Sequence, residues 1–172
     1  MALEDVLVRK KNSVLKRWFD LIAQTSLDGG TSMLKTRDRF TNPVGHITTS
    51  ATGVLYEELL QGKPDSQRAT ASLEDIIRVR AVQDFTPSQA VAFVFLLKKA
   101  IRAELEGEKN QKGFSEELSR FESLIDEMIC HTFNIYVDCR EKIYQIKVDE
   151  MKFKVDNMTR LVERMSGTGA DE

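Results

Sequence analysis

His46 and His131 are the only histidines in the chain, and Cys130 and Cys139 its only cysteines. These four side chains are the first candidates for metal, haem or redox chemistry. A haem needs at least one histidine facing a pocket. His131, flanked by Met128, Ile129 and Phe133, is better placed for that than His46, which follows Pro43-Val44-Gly45 near a helix start. No C-x-x-C-H attachment motif accompanies either, and a lone histidine among apolar neighbours is more often packed than ligating. A zinc site from Cys130, His131 and Cys139 is poorly composed, because adjacent residues diverge by about 100° on a helix. Cys130 and Cys139 are nine residues apart, about two and a half helical turns, which sets them on opposite faces and away from disulfide geometry. Reduced thiols, and with them a cytoplasmic setting, are the simplest expectation. No cofactor and no metal are expected.

Nucleophilic and phosphotransfer chemistry find no firmer footing. The MICHTFN stretch around His131 has no adjacent acid to orient an imidazole, and neither G-x-G-x-x-G nor G-x-x-x-x-G-K occurs to hold a nucleotide. Ser13, Ser88 and Ser115 lie in no G-x-S-x-G elbow. Glu57-Glu58 and Glu116-Glu117 are neighbours that point apart on a helix, suited to solvated faces or first turns. An enzyme is not expected.

The polar residues that could act together are Asp38, Arg39, Asn42, Arg80 and Asp84, with Arg37 and Gln83 beside them. They flank two turn motifs. If those turns meet, Arg39 or Arg80 can pair with Asp84 or Asp38 and tie helix ends together. The same residues could instead form an anion or small-molecule pocket, with an arginine as anchor and Phe40, Phe85, Phe93 and Phe95 as walls. Basic runs occur at Arg9-Lys10-Lys11, Lys16-Arg17 and Lys98-Lys99 with Arg102. Each reads as the wet side of an amphipathic helix. With a net charge of −2, no overall basic field recruits nucleic acid or anionic lipid.

These residues must be positioned by helices. Val6, Val14, Trp18 and Leu21, widened by Leu15 and Ile22, form one stripe and predict a helix over about 3–24. Asp28-Gly29-Gly30 breaks it. Asn42-Pro43 opens a helix to about Leu60. A loop over 62–70 precedes a helix capped by Ser72 and running to about Asp84, with Leu73, Ile76, Ile77, Val79 and Ala81 inward. Thr86, Pro87 and Gln89 make a capping box with proline at the first helical position. From Ala90 to Leu97 all eight residues are apolar, which predicts a helix buried on every side. GEKNQKG over 107–113 is a surface loop. From Ser115 to Met165 there is neither proline nor glycine. Leu118, Phe121, Ile125, Met128, Thr132, Tyr136 and Ile143 form one stripe there. Some 50 helical residues would span ~75 Å, so the helix either breaks near 131–138 or its end projects. Val148, Met151, Val155, Met158, Val162 and Met165 follow 3-4 spacing with valine at a and methionine at d, the pattern of a parallel two-stranded seam. Three heptads are few, so the seam could also pack on the chain's own first helix.

The blocks AVQDFTPSQA within 81–102, DRFTNPVG at 38–45 and YVDCREKIYQIKVDE at 136–150 together resemble the N-terminal domain of RsbT co-antagonist proteins of the RsbRD type. The resemblance spans 1 to about 160. It implies an intracellular helical input domain of bacterial stress regulation, and no enzyme. In relatives such a domain precedes an output domain, typically a phosphorylatable STAS domain. Here the chain ends at SGTGADE, which puts direct co-antagonism of a kinase in doubt.

Composition agrees with one domain: 172 residues, 41% hydrophobic and 30% charged. No apolar run approaches the ~20 residues of a membrane span, and the N-terminus lacks a signal-peptide core. The expected architecture is an all-α bundle of about five helices, for which a globin-like arrangement is one option. Residues 1–145 would form a sensor or regulatory domain, 146–166 a coiled-coil extension of the last helix, and 167–172 a disordered tail. The expected function is a dimeric, non-enzymatic input module with a protein partner that signals through its last helix. The alternatives are a stand-alone scaffold subunit of a complex, or a binder of a small molecule or, less well supported, haem.

Overall fold

The computed structural model describes residues 2–25, 43–82, 85–106, 108 and 111–167. The described residues form six α-helices and no strand: α1 (Leu3–Arg9), α2 (Lys11–Gln24), α3 (Pro43–Leu60), α4 (Gln67–Val82), α5 (Pro87–Leu105) and α6 (Ser115–Gly167), with a 3-10 turn at Gln111–Phe114 before α6. They fall into two compact units, Met1–Val137 and Asp138–Glu172. The turns expected at Asp28-Gly29-Gly30 and the tail after Gly167 lie outside the described residues.

The first predicted helix is two. The backbone bends at Lys10, with φ −90° and ψ 7°, although the ladder continues through Lys10 N–H to Val6 O at 2.9 Å and Val14 N–H to Lys10 O at 3.0 Å. Tertiary contacts meet at the bend. Lys10 Nζ donates to the Glu104 carbonyl at 2.6 Å and sits 3.0 Å from the Glu108 carboxylate, at the end of α5. No local pattern encodes that anchor. The turn after α3 is closed by Gly62, whose φ of +68° favours glycine. Gly62 N–H donates to Leu59 O at 3.0 Å and Lys63 N–H to Glu58 O at 2.9 Å, a Schellman pair.

α4 starts six residues earlier than predicted. Ser66, not Ser72, is the cap, its Oγ accepting from Ala69 N–H at 3.0 Å. The early start brings buried Ala69 into line with Leu73, Ile76, Ile77 and Ala81, while Val79 is only half-buried. α5 begins as predicted. Thr86 accepts from Gln89 N–H, and Gln89 Oε1 accepts from Thr86 N–H at 2.9 Å. The expectation that α5 is buried on every side is corrected: Phe95 is 48% exposed and Ala92 half-buried. The eight-residue apolar run hides this, because an apolar residue facing a groove reads like one facing a core. α6 is one unbroken helix of 53 residues, so no break falls at 131–138.

In the first unit α2 packs on α5 and on α3, and α3 packs on α4. Trp18 is fully buried, and its indole N–H donates to the Phe93 carbonyl at 2.6 Å. Tyr56, also fully buried, donates to the Leu7 carbonyl at 3.0 Å, and burial pushes its hydroxyl pKa well up. α6 turns Ile125, Met128, Thr132 and Ile135 into this core. In the second unit every residue from Tyr144 to Ser166 is exposed. None of the described helices is long and apolar enough to cross a membrane.

Trp18→Phe removes one buried hydrogen bond and part of a ring. A loss of about 2 kcal/mol in urea denaturation is expected, from about 1 for the bond and a similar amount for the void. A neutral result would show that α5 is not held through Phe93.

Candidate functional site

Arg80 stands on the last turn of α4, in line with Ile76, Ile77 and Leu73, and is buried with them. A lysine or arginine on an apolar stripe must find partners for its charge. Its guanidinium lies 5.1 Å from the centroid of Phe93 and 5.2 Å from that of Phe85, and Nη1 donates to the Gln89 carbonyl at 3.3 Å. Burial pulls its pKa down to about 10, which leaves it charged at neutral pH. Two ring faces and one carbonyl thus replace water around the cation. Arg80 joins the end of α4 to the first two turns of α5 across the connection that carries Phe85.

Of the other predicted members of this cluster, Asp38, Arg39, Asn42 and Asp84 lie outside the described residues, as do Arg37, Phe40 and Gln83. Among the predicted walls, Phe85 and Phe93 stand against Arg80, whereas Phe95 lines a different feature. That feature is a groove of about 770 Å³ between α5 and α6. Pro87, Val91 and Phe95 form one side, and Ile129, Cys130 and Phe133 the other. Sequence reasoning missed it. The available signal was Phe133, an aromatic residue off the Phe121–Ile125–Met128–Thr132 stripe.

His131, the haem candidate, is half-buried, and its Nε2 lies 2.8 Å from Thr70 Oγ1, joining α6 to α4. His46, on the first turn of α3, is exposed. Among the described residues no group of three or more His, Cys, Asp or Glu side chains could hold a metal. The basic runs are not simply wet faces. Arg9 and Lys10 pair with Glu108 at 3.1 and 3.0 Å, Arg17 with Glu104 at 2.6 Å, and Lys11 with Glu57 at 2.6 Å. Lys98 pairs with Asp126 and Arg102 with Glu122, each at 2.6 Å. These bridges tie α1 and α2 to α3 and to the end of α5, and tie α5 to α6. The carboxylates feel it. Hydrogen bonds from Ser13 and Arg17 hold Glu104 below the usual range, and one from Arg102 does the same for Glu122.

The seam residues Val148, Met151, Val155, Met158, Val162 and Met165 all lie on α6 in the second unit, from 40% exposed at Val148 to 72% at Met165. Lys152 and Asp156 flank the Val148–Met151–Val155 stretch in a shallow concavity. Leu161 adds to the same face at 60% exposed.

Residues 12–151 match the family of the RsbT co-antagonist protein rsbRD N-terminal domain. The chain belongs to this family. RsbRD N-terminal domains are regulatory domains of stress-response signalling. The match covers α2 to α5 and most of α6, and it contains Arg80, the α5–α6 groove and the start of the seam. No curated protein and no solved structure shows a match.

Two outcomes follow from this geometry. Arg80→Ala should lower stability by about 2–3 kcal/mol in urea, since it opens the space between the rings. Arg80→Met keeps the stem between the rings without a charge to desolvate, and should recover most of the loss. The ion pairs predict a pH profile. Glu104 and Glu122 are held below their ordinary value of 4.5 in the folded chain. Their contribution is therefore present above that value and lost as pH falls through the lower folded value. Thermal denaturation followed from pH 6 downward should show Tm falling below about pH 4.5. Arg102→Ala should shallow that fall, and an unchanged slope would remove the Glu122 contribution.

Proposed function

We propose that this RsbRD N-terminal domain is a non-enzymatic input module that works as a parallel dimer through α6. In this reading a signal reaching the helical bundle shifts the packing of α6, and the seam carries the change onward to a protein partner. The observation that carries the reading is the exposed row of valines and methionines at 3-4 spacing. Six apolar side chains on one helical face, with lysine, aspartate and arginine beside them, form a stripe that water does not favour. A second copy buries it with valine at a and methionine at d, and β-branched a positions favour two parallel strands. Two packings of α6 that differ by a few kcal/mol suffice for a switch. Family membership supports the regulatory part. The cytoplasmic, dimeric and partner-binding parts rest on the composition and on the seam.

The test is the mass of the intact chain in solution by light scattering, with an absorbance scan across the same peak. The wild type should be a colourless dimer. Val155→Glu combined with Met158→Lys places charge at adjacent seam positions and should give a monomer with unchanged helix content. Both sites are exposed within the chain, so folding of the bundle is a separate readout. A colourless wild-type monomer would overturn the reading.

A further inference from the structure

We propose that Arg80 anchors a binding site for a small organic monocarboxylate, which seats on the free edge of its guanidinium where α4 ends and α5 begins. The binding claim stands whether or not α6 pairs. That such binding is the input signal rests on the reading above.

The chain distributes its carboxylates unevenly. The side chains of Arg9, Arg17, Arg68, Arg78, Arg102 and Arg120 are 49% to 77% exposed, and each lies 2.5–3.1 Å from a carboxylate. Water already solvates such charges, so these pairs contribute little each. Arg80 is only 8% exposed. Among the described residues it has no ion pair. Its charge meets two ring faces and the Gln89 carbonyl, and burial is what pulls its pKa down. A cation taken from water without a counter-charge is costly, and a bound anion supplies that counter-charge.

The fork has donors to spare. A guanidinium presents N–H bonds from all three nitrogens, and here only Nη1 is engaged. Among the described residues every fully enclosed side-chain nitrogen or oxygen has a hydrogen-bond partner. The unengaged Nε and Nη2 therefore reach the surface. Together they offer two parallel N–H bonds along one edge, the geometry that takes both oxygens of a carboxylate. The rings of Phe85 and Phe93 beside the ion favour a flat group lying in the plane of that edge. One cation offsets one negative charge. A phosphate dianion would keep a second charge beside two rings with nothing to offset it. The bond to Gln89 also sets the guanidinium at the first turn of α5, where the helix dipole is positive and favours an anion.

Sodium acetate is the probe, titrated into the intact chain at pH 7 and fixed ionic strength. Binding is read by calorimetry and by the fluorescence of Trp18, the only tryptophan, whose indole N–H bonds the Phe93 carbonyl. Saturating acetate should raise Tm by about 3 °C or more. Acetamide, of the same shape without the charge, should not. Arg80→Met keeps the stem between the rings and should abolish binding in a chain of unchanged helix content. Arg80→Lys keeps the charge but loses the fork, and should weaken acetate at least about tenfold. Asp84→Asn should leave the affinity unchanged. A wild type indifferent to acetate would overturn the inference, and acetate binding that appears only in Asp84→Asn would show the carboxylate to be the chain's own. Phosphate binding as tightly as acetate would overturn the choice of a monocarboxylate. Equal binding to Arg80→Met would remove Arg80 from the site. The mass of the chain is a separate readout, so failure of the dimer reading and failure of this site are distinguishable.

Discussion

Phe93 holds three helices at once. Its carbonyl accepts the indole N–H of Trp18 from α2, its ring faces the guanidinium of Arg80 from α4, and its own helix, α5, is the inner element of the bundle. Each contact constrains the others. Trp18 reaches the carbonyl only if α2 lies close along α5, and Arg80 keeps its charge in a buried place only if the Phe93 and Phe85 rings stay on either side of it. A buried cation without its partners costs several kcal/mol, so the end of α4 cannot drift from the start of α5 without a large loss. The Thr86 capping box and Pro87 then fix where α5 begins.

How much of this could be read from residue order depends on whether the cause is local. The start of α5 was legible because Thr86, Pro87 and Gln89 satisfy one another within four residues. The Trp18 stripe was legible because helical periodicity is local. The bend at Lys10 was not, and the partners its side chain meets there, Glu104 and Glu108, lie nearly a hundred residues away. Residue order marks Ser72 as a cap and 62–70 as a loop, whereas Ser66 caps α4, and the burial of Ala69 is not visible from the local pattern. In the candidate site, Arg80 could be picked out as a cation on an apolar stripe, and Phe85 and Phe93 as rings near it. Phe95 was grouped with them wrongly, since within an all-apolar run nothing marks which side opens onto a groove.

The charged residues divide the labour differently. Basic runs that looked like solvated faces pair with glutamates on other helices, and so they order the bundle's outer side while leaving no broad basic field. The described surface also exposes large apolar side chains. The largest side chains of that kind are Phe95 and Phe133 in the first unit, and the valines, methionines, Phe153 and Leu161 in the second.

α6 gathers these facts into one element. In the first unit its buried side carries Ile125, Met128, Thr132 and Ile135, and its exposed side carries Cys130 and Phe133. In the second unit Val148, Met151, Val155, Met158, Val162 and Met165 are exposed. A helix with one apolar stripe has one way to bury itself, and its packing is fixed. Under the proposed dimer, α6 would have two partners to satisfy, its own bundle and another chain, and strengthening one contact would strain the other when the core is close-packed. That competition is the physical requirement for an element with two packings. It is what the proposed input role would ask of α6.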